Sequence, residues 1–228
     1  MKRGLIVAID GPVASGKGTM ARVVAEKLHA TYLDSGSMYR ALGLYLLRQG
    51  LDTRNEIDVN NILPVVQITL HESGVLLNGE DVSGEIRTPE VSSAAANVSK
   101  FAQVHALLMD TRRKIAEQEV QDGRVVVTEG RNEATHTFPY ADIKIFLTAD
   151  VKVRAKRRYA QELVRGNDIS LAEVEEQTRF RDKQDMEREH APLTSEPEKY
   201  GYTIVDDSKM TEEETEKILI DIIQRRME

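Results

Sequence analysis

Short apolar runs alternate with amphipathic segments along the chain. Residues 5–9 form an uninterrupted apolar run, typical of a buried parallel strand, and the next segment places Met20, Val23, Val24 and Leu28 on one helical face. Four similar runs predict further strands, at residues 31–33, 125–127, 143–147 and 202–205. Because helical segments separate most of these runs, the pattern predicts an α/β fold with a parallel sheet flanked by helices.

One stretch departs from this alternation. Residues 65–78 alternate weakly around Ser73 and Gly74 and run into Asn78 and Gly79, which predicts a small antiparallel hairpin followed by a second turn. Helices are expected elsewhere: after Ser35 with Tyr39, Leu42 and Leu46 at helical spacing, at about residues 90–99 and 101–120, in two charged stretches after residue 150, and in a closing helix with Ile218, Leu219, Ile222 and Ile223 on its apolar face.

A glycine-rich segment connects the first strand to the first helix. It comprises Gly11, Pro12, Val13, Ala14, Ser15, Gly16, Lys17, Gly18 and Thr19. Glycines let successive backbone N–H groups and the helix N-terminus converge on phosphate oxygens, and Lys17 adds a mobile positive charge. The segment predicts an ATP-binding phosphate loop. Gly18 stands where many such loops carry a magnesium-binding Ser or Thr, which here comes one residue later as Thr19.

Charged side chains follow several of the predicted strands. Because ligands of parallel sheets bind beyond the carboxyl ends of the strands, we expect Lys17, Asp34, Glu129 and Arg131 to converge on one crevice. There Thr19, Asp34 and Glu129 would hold Mg²⁺ indirectly, through water. A cap of the following helix is an alternative role for Asp34.

The amino-acid composition limits the kinds of binding partner, catalysis and location that are expected. The 228 residues, of which 40% are hydrophobic and 30% charged, are enough for one well-buried domain or a core with inserts, and the net charge of −7 argues against a nucleic acid partner. Cysteine is absent, which excludes thiolate catalysis and cysteine-bound zinc and agrees with a cytoplasmic location. The first apolar run is too short for a signal peptide, no segment predicts a membrane span, and without a long apolar seam we expect a monomer.

A second motif points to a family. Residues 34–40 read D-S-G-S-M-Y-R and resemble the D-[ST]-G-[AS]-[MI]-Y-R segment of bacterial cytidylate kinases, which are nucleoside monophosphate kinases with a phosphate loop. The resemblance continues at residues 78–83, 86–87, 129–131 and 191–193 and covers nearly the whole chain. It implies a core of the P-loop NTPase type at about residues 1–62, 101–150 and 189–228, an inserted acceptor-binding domain at about 63–100, and a helical arginine-bearing lid at about 151–188.

The resemblance also implies an activity, the transfer of the γ-phosphate of ATP to CMP or dCMP with Mg²⁺. By matching position, Ser35 would contact the acceptor nucleotide, and Arg40 and Arg131 would clamp its phosphate. Guanidinium groups suit this role because they bind a dianionic phosphate bidentately and offset its repulsion from ATP. A surface position on a helix is the alternative for Arg40 when its segment is considered alone.

Two further sets of charged residues match the lid. Arg154, Arg157 and Arg158 share a helix face, and we hypothesise that Arg157 or Arg158 closes over the γ-phosphate; a solvated basic face is the alternative. The second set lies at spacing i, i+4 and i+7, and the resemblance implies that it binds the ribose, the base and the phosphates, with intrahelical ion pairing as the alternative. It comprises Arg181, Asp185 and Arg188.

Three positions in the expected cytosine pocket differ from the family pattern. The family commonly reads G-R-D-[IM]-G-T, whereas residues 130–135 read G-R-N-E-A-T, so that Asn132 replaces the Asp. Ala96 stands where a base-binding Ser is usual, and His105 where a base-binding Arg is usual. Each lost hydrogen bond discriminates by about 1–3 kcal/mol, so these changes affect base recognition more than phosphoryl transfer.

The sequence therefore predicts an ATP-dependent kinase for CMP and dCMP that works by in-line transfer without a covalent intermediate. Lys17, Arg131, Arg157 and Arg158 are the expected catalytic residues. Two alternatives stay open. One is an altered or broadened acceptor such as UMP, to whose carbonyl a flipped Asn132 amide could donate. The other is a nucleotide-binding regulatory protein that lacks acceptor chemistry.

Overall fold

A parallel five-stranded sheet forms the centre of the protein. The structure, a computed structural model, describes residues 4–71 and 74–227. The strand order is β2-β6-β1-β7-β8, and every neighbouring pair is parallel. The strands are β1 (Ile6–Asp10), β2 (Thr31–Asp34), β6 (Val126–Gly130), β7 (Ile143–Thr148) and β8 (Thr203–Asp206). This confirms the α/β fold with a parallel sheet.

Helices cover both faces of this sheet, as its apolar strands require. On one face, Met20 of α1 and Leu219 of α8 pack against Val7 and Ile145. On the other face, Ala116 of α5 packs with Ile6 and Phe146. The helices are α1 (Lys17–Leu28), α2 (Ser35–Arg48), α3 (Glu56–Ile62), α4 (Pro89–Val98), α5 (Ala102–Gln121), α6 (Val151–Val164), α7 (Leu171–Glu187) and α8 (Glu212–Met227). Within the described ranges, none is long and apolar enough to cross a bilayer.

A second, antiparallel sheet contains three strands. These are β3 (Ile68–His71), β4 (Gly74–Leu77) and β5 (Glu80–Asp81), paired in the order β3-β4-β5. The predicted hairpin is confirmed in its strands, although Ser73 of its turn lies outside the described residues. The second turn is also present, since Asn78 and Gly79 both have positive φ, at 49° and 85°.

The small sheet shares an apolar cluster with four helices. Met38 of α2, Val59 of α3 and Val98 of α4 pack with Val75 of β4, and the first turns of α5 contribute Val104. The cluster therefore extends across the boundaries at residues 62 and 100 that the sequence predicts for the inserted domain. Close packing of α2 on α4 depends on a glycine, because a Cβ at Gly43 would lie 2.9 Å from the Cβ of Ala94.

The hydrophobic pattern does not predict α3. This helix has only seven residues, too few for a helical period to stand out. Its start nevertheless carries a local signal, because the Asn55 side chain accepts a hydrogen bond of 3.0 Å from the Ile57 backbone N–H.

Candidate active site

The charged residues that follow the strands meet at one edge of the sheet. Asp10, the last residue of β1, pairs in register with Gly130 of β6, and Asp34 of β2 pairs with Glu129. The phosphate-loop segment leaves β1 at this edge and leads into α1 at Lys17. The structure thus brings Lys17, Asp34, Glu129 and Arg131 together.

Two glycines shape the loop. A Cβ on Gly11 would lie 2.0 Å from the carbonyl oxygen of Leu147, so only glycine lets the loop pass against β7 at this point. Gly16 adopts a left-handed conformation with φ at 82° and caps the start of α1. Between them, the Ser15 hydroxyl is buried and has no hydrogen-bond partner within the described residues. An orphaned donor in such a loop fits a site that receives phosphate oxygens.

Lys17 lies inside the loop rather than in solvent. Its side chain is buried, and Nζ donates a hydrogen bond of 3.1 Å to the carbonyl oxygen of Pro12. Burial, assisted by the positive charge of Arg131, lowers the pKa of Lys17 to about 8. A bound polyphosphate would favour the charged ammonium.

Glu129 and Asp34 provide two carboxylates beside the loop. Burial raises the pKa of Glu129, and the nearby Asp34 adds to this effect, while Lys17 and Arg131 oppose it. The Oδ1 atom of Asp34 accepts a hydrogen bond of 3.0 Å from the Ser37 N–H, so Asp34 caps α2. The capping role is therefore observed, and within the part of the chain that the structure describes it leaves the second carboxylate oxygen without a hydrogen bond.

These carboxylates fit Mg²⁺ bound through water. Within the described ranges, no group of three or more His, Cys, Asp or Glu side chains could hold a metal directly. Mg²⁺ usually keeps several water ligands and uses one or two carboxylates with substrate phosphates, which matches Asp34 and Glu129. A Cβ at Gly18 would lie 3.8 Å from Oε1 of Glu129, whereas Thr19 is exposed. A magnesium role for Thr19 stays a prediction.

Ser35 and Arg40 lie in the helix that follows β2. The Ser35 hydroxyl donates a hydrogen bond of 2.7 Å to the backbone oxygen of Glu129 and so ties α2 to β6. Arg40 is half-buried and forms no ion pair or hydrogen bond within the described residues, yet its charge opposes the rise in the pKa of Glu129. An unpaired guanidinium near the carboxylates favours the phosphate-binding role over that of a surface helix residue.

Asp185 lies between two arginines. Its Oδ2 atom accepts a hydrogen bond of 2.7 Å from Nε of Arg131, and its Oδ1 atom lies 3.3 Å from Nε of Arg181. Although burial alone would raise the pKa of Asp185, Arg131 and Arg181 hold it below its usual value. The ion pair predicted from the i, i+4 spacing of Arg181 and Asp185 is present, and Asp185 also pairs with Arg131, the residue after β6.

The backbone oxygen of Ala191 fixes two site residues. It accepts hydrogen bonds of 2.6 Å from Nδ2 of Asn132 and 2.8 Å from Nε of Arg188. A flipped Asn132 amide would place its own oxygen against this carbonyl, so the contact determines the orientation of the amide. Within the described residues, Oδ1 of Asn132 accepts no hydrogen bond, which leaves it as an acceptor.

His105 is occupied by neighbouring protein groups. Its Nδ1 lies 2.6 Å from the Tyr39 hydroxyl and its Nε2 lies 2.7 Å from the backbone oxygen of Ser99. Because a carbonyl can only accept, Nε2 carries the proton and Nδ1 accepts from Tyr39. Burial and the charge of Arg188 lower the pKa of His105 to about 4. The neutral ring thus has both nitrogens engaged, and Ala96 offers no polar side chain.

The two lid arginines predicted to be catalytic have carboxylate partners. Arg157 donates two hydrogen bonds of 3.0 Å to the carboxylate of Asp207, while its Nη1 atom lies 3.9 Å from the position of a Cβ on Gly16. Arg158 lies 2.6 Å from Glu162 on the same helix. Arg157 therefore already lies beside the phosphate loop. Arg154 is buried, so the arginines of α6 do not form one solvated face.

A buried ion pair behind the site is not predicted from the sequence. Arg112 of α5 pairs with Glu133, and both side chains are almost fully buried. The second Glu133 carboxylate oxygen accepts a hydrogen bond of 2.7 Å from the Thr128 hydroxyl. The backbone N–H groups of Glu133 and Ala134 donate to Asp10 at 2.9 and 2.8 Å. The sequence does contain one indication of this pair, because Glu133 stands where the G-R-D-[IM]-G-T pattern has Ile or Met.

Known proteins of similar sequence identify the family of this chain. The family model for cytidylate kinase matches residues 7–225. The chain belongs to the cytidylate kinase family. It is 38% identical over 231 residues to the cytidylate kinase of Geobacillus kaustophilus, covering 100% of both chains. It is also 38% identical to that of Thermosipho africanus, over 95% of this chain and 93% of the relative.

Two solved structures resemble the fold. One is an uncharacterized protein from Eubacterium ventriosum, with a TM-score of 0.57 and 14% identity over 98% of this chain and 99% of that protein. The other is TT1252 from Thermus thermophilus, with a TM-score of 0.50 and 17% identity over 100% of each chain. Membership of the cytidylate kinase family confirms the resemblance read from residues 34–40. The changes at Ala96, His105 and Asn132 are therefore variations within a cytidylate kinase framework.

Proposed function

We propose that this protein transfers the γ-phosphate of ATP to CMP and dCMP in the presence of Mg²⁺. The observation that carries the proposal is the position of the phosphate loop beside the cluster of Arg131, Asp185 and Arg181, at one edge of the sheet. A donor site and an acceptor site are thereby next to each other. Family membership supports the reaction and the acceptor.

On the donor side, the loop binds and orients the triphosphate. Backbone N–H groups at the start of α1 and the Ser15 hydroxyl would donate hydrogen bonds to the phosphates. Lys17 would contribute a positive charge, because bound phosphate favours its protonated form. When bound, Mg²⁺ would neutralise phosphate charge, and Asp34 and Glu129 would hold its water ligands. If α6 closes over the γ-phosphate, Arg157 would give up its hydrogen bonds to Asp207 and bind phosphate oxygens instead. Arg158 would similarly give up its ion pair with Glu162.

On the acceptor side, arginines hold a second anion close to the first. Arg40 is unpaired within the described residues, and Asp185 orients Arg131 through its Nε atom. One terminal nitrogen of Arg131 donates a long hydrogen bond of 3.5 Å to the backbone oxygen of Gly130, and neither terminal nitrogen is used in the hydrogen bond to Asp185. The attacking group is a phosphate oxygen that is already ionised at neutral pH. No general base is therefore needed, and rate acceleration comes from positioning and charge neutralisation.

The orientation of Asn132 favours cytosine over uracil. With Nδ2 donating to Ala191, the free Oδ1 can accept from the 4-amino group of cytosine but meets only another acceptor on uracil. His105 cannot replace a base-binding arginine, because both of its nitrogens are engaged. We therefore infer that Asn132 keeps the acceptor role of the Asp in the family pattern, and we do not favour the broadened acceptor. A monomeric state and a cytoplasmic location stay predictions.

Product analysis tests this function. The protein is incubated with Mg-ATP and CMP, and the nucleotides are separated by ion-exchange chromatography. We expect equimolar ADP and CDP, with the rate reduced by about 10³-fold in K17M, which removes the loop cation. If the protein binds ATP but transfers phosphate neither to CMP nor to any other monophosphate, the result would instead support a regulatory nucleotide-binding protein.

A further inference from the structure

The phosphate loop is attached to both lid helices through Val13. The Val13 N–H donates a hydrogen bond of 3.2 Å to Oδ1 of Asp182 on α7. The Val13 carbonyl accepts a hydrogen bond of 2.9 Å from Nη1 of Arg154 on α6. Arg154 and Asp182 also pair with each other at 2.7 Å, so the three residues form a closed set of contacts, which we call the Val13 clamp.

The Val13 clamp is buried and well satisfied. The Arg154 and Asp182 side chains are 8% and 12% exposed, and Nε of Arg154 donates a further hydrogen bond of 2.8 Å to the backbone oxygen of Ala149. A buried ion pair with further hydrogen bonds to the backbone holds one geometry, and loss of one partner leaves the other charge uncompensated. The clamp therefore fixes the loop backbone relative to the base of the lid.

The charges of the clamp, in addition to its geometry, affect the binding of ATP. Asp182 places a carboxylate in direct contact with a loop that receives a polyanion, and its charge also reaches Arg131, whose pKa it helps to raise. Without compensation, this carboxylate would repel the triphosphate, because charges a few ångströms apart in a partly buried site interact strongly. Arg154 supplies the compensation directly, at 2.7 Å.

We propose that Arg154 and Asp182 are positioning residues of the ATP site: together they fix the phosphate loop, and Arg154 prevents Asp182 from opposing ATP binding. This role rests on the proposed function only in that the loop binds ATP. It does not depend on which acceptor is used. A purely structural pair would respond alike to loss of either partner, whereas the clamp predicts that only the loss of Arg154 weakens ATP binding.

Direct binding of Mg-ATP, measured by titration calorimetry without acceptor, separates these roles. We expect R154Q to weaken binding by about 10-fold or more, because Asp182 becomes an unpaired carboxylate at the loop. We expect D182N to bind within about twofold of wild type or more tightly, because Arg154 keeps its hydrogen bonds to Val13 and Ala149 while a negative charge is removed. The double variant R154Q/D182N should recover most of the affinity that R154Q loses.

Control measurements separate the effect on ATP binding from effects on folding and on use of the acceptor. R179Q, which breaks an exposed ion pair with Glu175 on the same helix α7, should leave ATP affinity unchanged. Thermal unfolding curves show whether each variant is folded. If R154Q does not fold, the affinities of D182N and R154Q/D182N for Mg-ATP test the proposal. Equal weakening by R154Q and D182N, no weakening by R154Q, or weakening by D182N alone would overturn the proposal. CDP formation is assayed separately, so failure of acceptor chemistry would leave this test intact.

Discussion

Arg131 and Asp185 connect the central sheet to α7 through a hydrogen bond of 2.7 Å between Nε and Oδ2. Arg131 follows β6, and Asp185 lies near the end of α7. Asp185 is only 4% exposed and also pairs with Arg181, so it holds two guanidinium groups on the acceptor side. The carboxylate thereby orients the cations that we assign to the acceptor phosphate.

Substitution of Asp185 tests this orientation. We predict that D185N lowers kcat/KM for CMP by about 100-fold, because Arg131 and Arg181 lose the charge that fixes them, whereas the affinity for Mg-ATP changes much less. E187Q, at the exposed last residue of α7, is the matched control, since Glu187 pairs only weakly with Lys183, at 3.9 Å. Steady-state kinetics with each substrate varied in turn provide the measurement. A D185N enzyme within about twofold of wild type would remove Asp185 from the acceptor site.

Lys17 predicts a pH dependence of ATP use. Burial lowers its pKa to about 8, so in the free enzyme the ammonium is present below this pH and is lost as the pH rises through it. We predict that kcat/KM for ATP falls by about tenfold per pH unit above this value, while kcat falls less because bound ATP retains the proton.

The K17R variant provides the comparison for this profile. Arginine stays charged over the whole range, so the falling limb should disappear even though the absolute rate is lower. A wild-type profile that stays flat to about pH 9.5, or a K17R profile with the same falling limb, would show that another group is responsible.

Asn132 predicts the base preference. Its amide is oriented by Ala191, and its free Oδ1 is suited to the cytosine amino group. We predict that N132A lowers the ratio of kcat/KM for CMP to that for UMP by about 10-fold, whereas N132D, which retains an acceptor, preserves a preference for CMP. An unchanged ratio in N132A would show that other groups read the base.

The buried pair of Arg112 and Glu133 predicts a stability effect that depends on both partners. E133M leaves the Arg112 guanidinium buried and unpaired, and we expect a loss of about 3–5 kcal/mol in the free energy of unfolding. The double variant R112M/E133M should regain most of this loss, because neither member of the pair is left as a buried, unpaired charge. Urea denaturation measures both.

An exposed ion pair on the same helix controls for general effects. K114M removes the pair with Asp110, in which both side chains are more than half exposed, and should change stability by less than about 0.5 kcal/mol. If the double variant is as unstable as E133M, shape rather than charge governs this part of the core.

Local patterns in the sequence predict the framework of the site. The apolar run that leads into Gly11, together with Gly16 and Lys17, predicts β1, the phosphate loop and α1, because each feature is encoded by neighbouring residues. The strand-end positions of Asp34 and Glu129 also follow from sequence, since parallel strands end at one edge. Sequence positions alone were enough for these relationships.

Contacts between distant elements could not be predicted in the same way. The helical spacing of Arg154, Arg157 and Arg158 shows that they share a face, but not that Arg154 is buried against α7 and Val13. Similarly, nothing local shows that Tyr39 and the Ser99 carbonyl occupy both nitrogens of His105. These partners depend on tertiary packing, which a single sequence does not contain.

Initial rates with a panel of acceptors test the central claim most directly. ADP formation is followed with Mg-ATP and each of CMP, dCMP, UMP, AMP and GMP, at saturating and sub-saturating concentrations. The site described above predicts that CMP and dCMP have the highest kcat/KM, with UMP lower by about 10-fold or more, because Asn132 presents an acceptor to the base. Preferential use of UMP or of a purine nucleotide, or no transfer to any of the five, would contradict it.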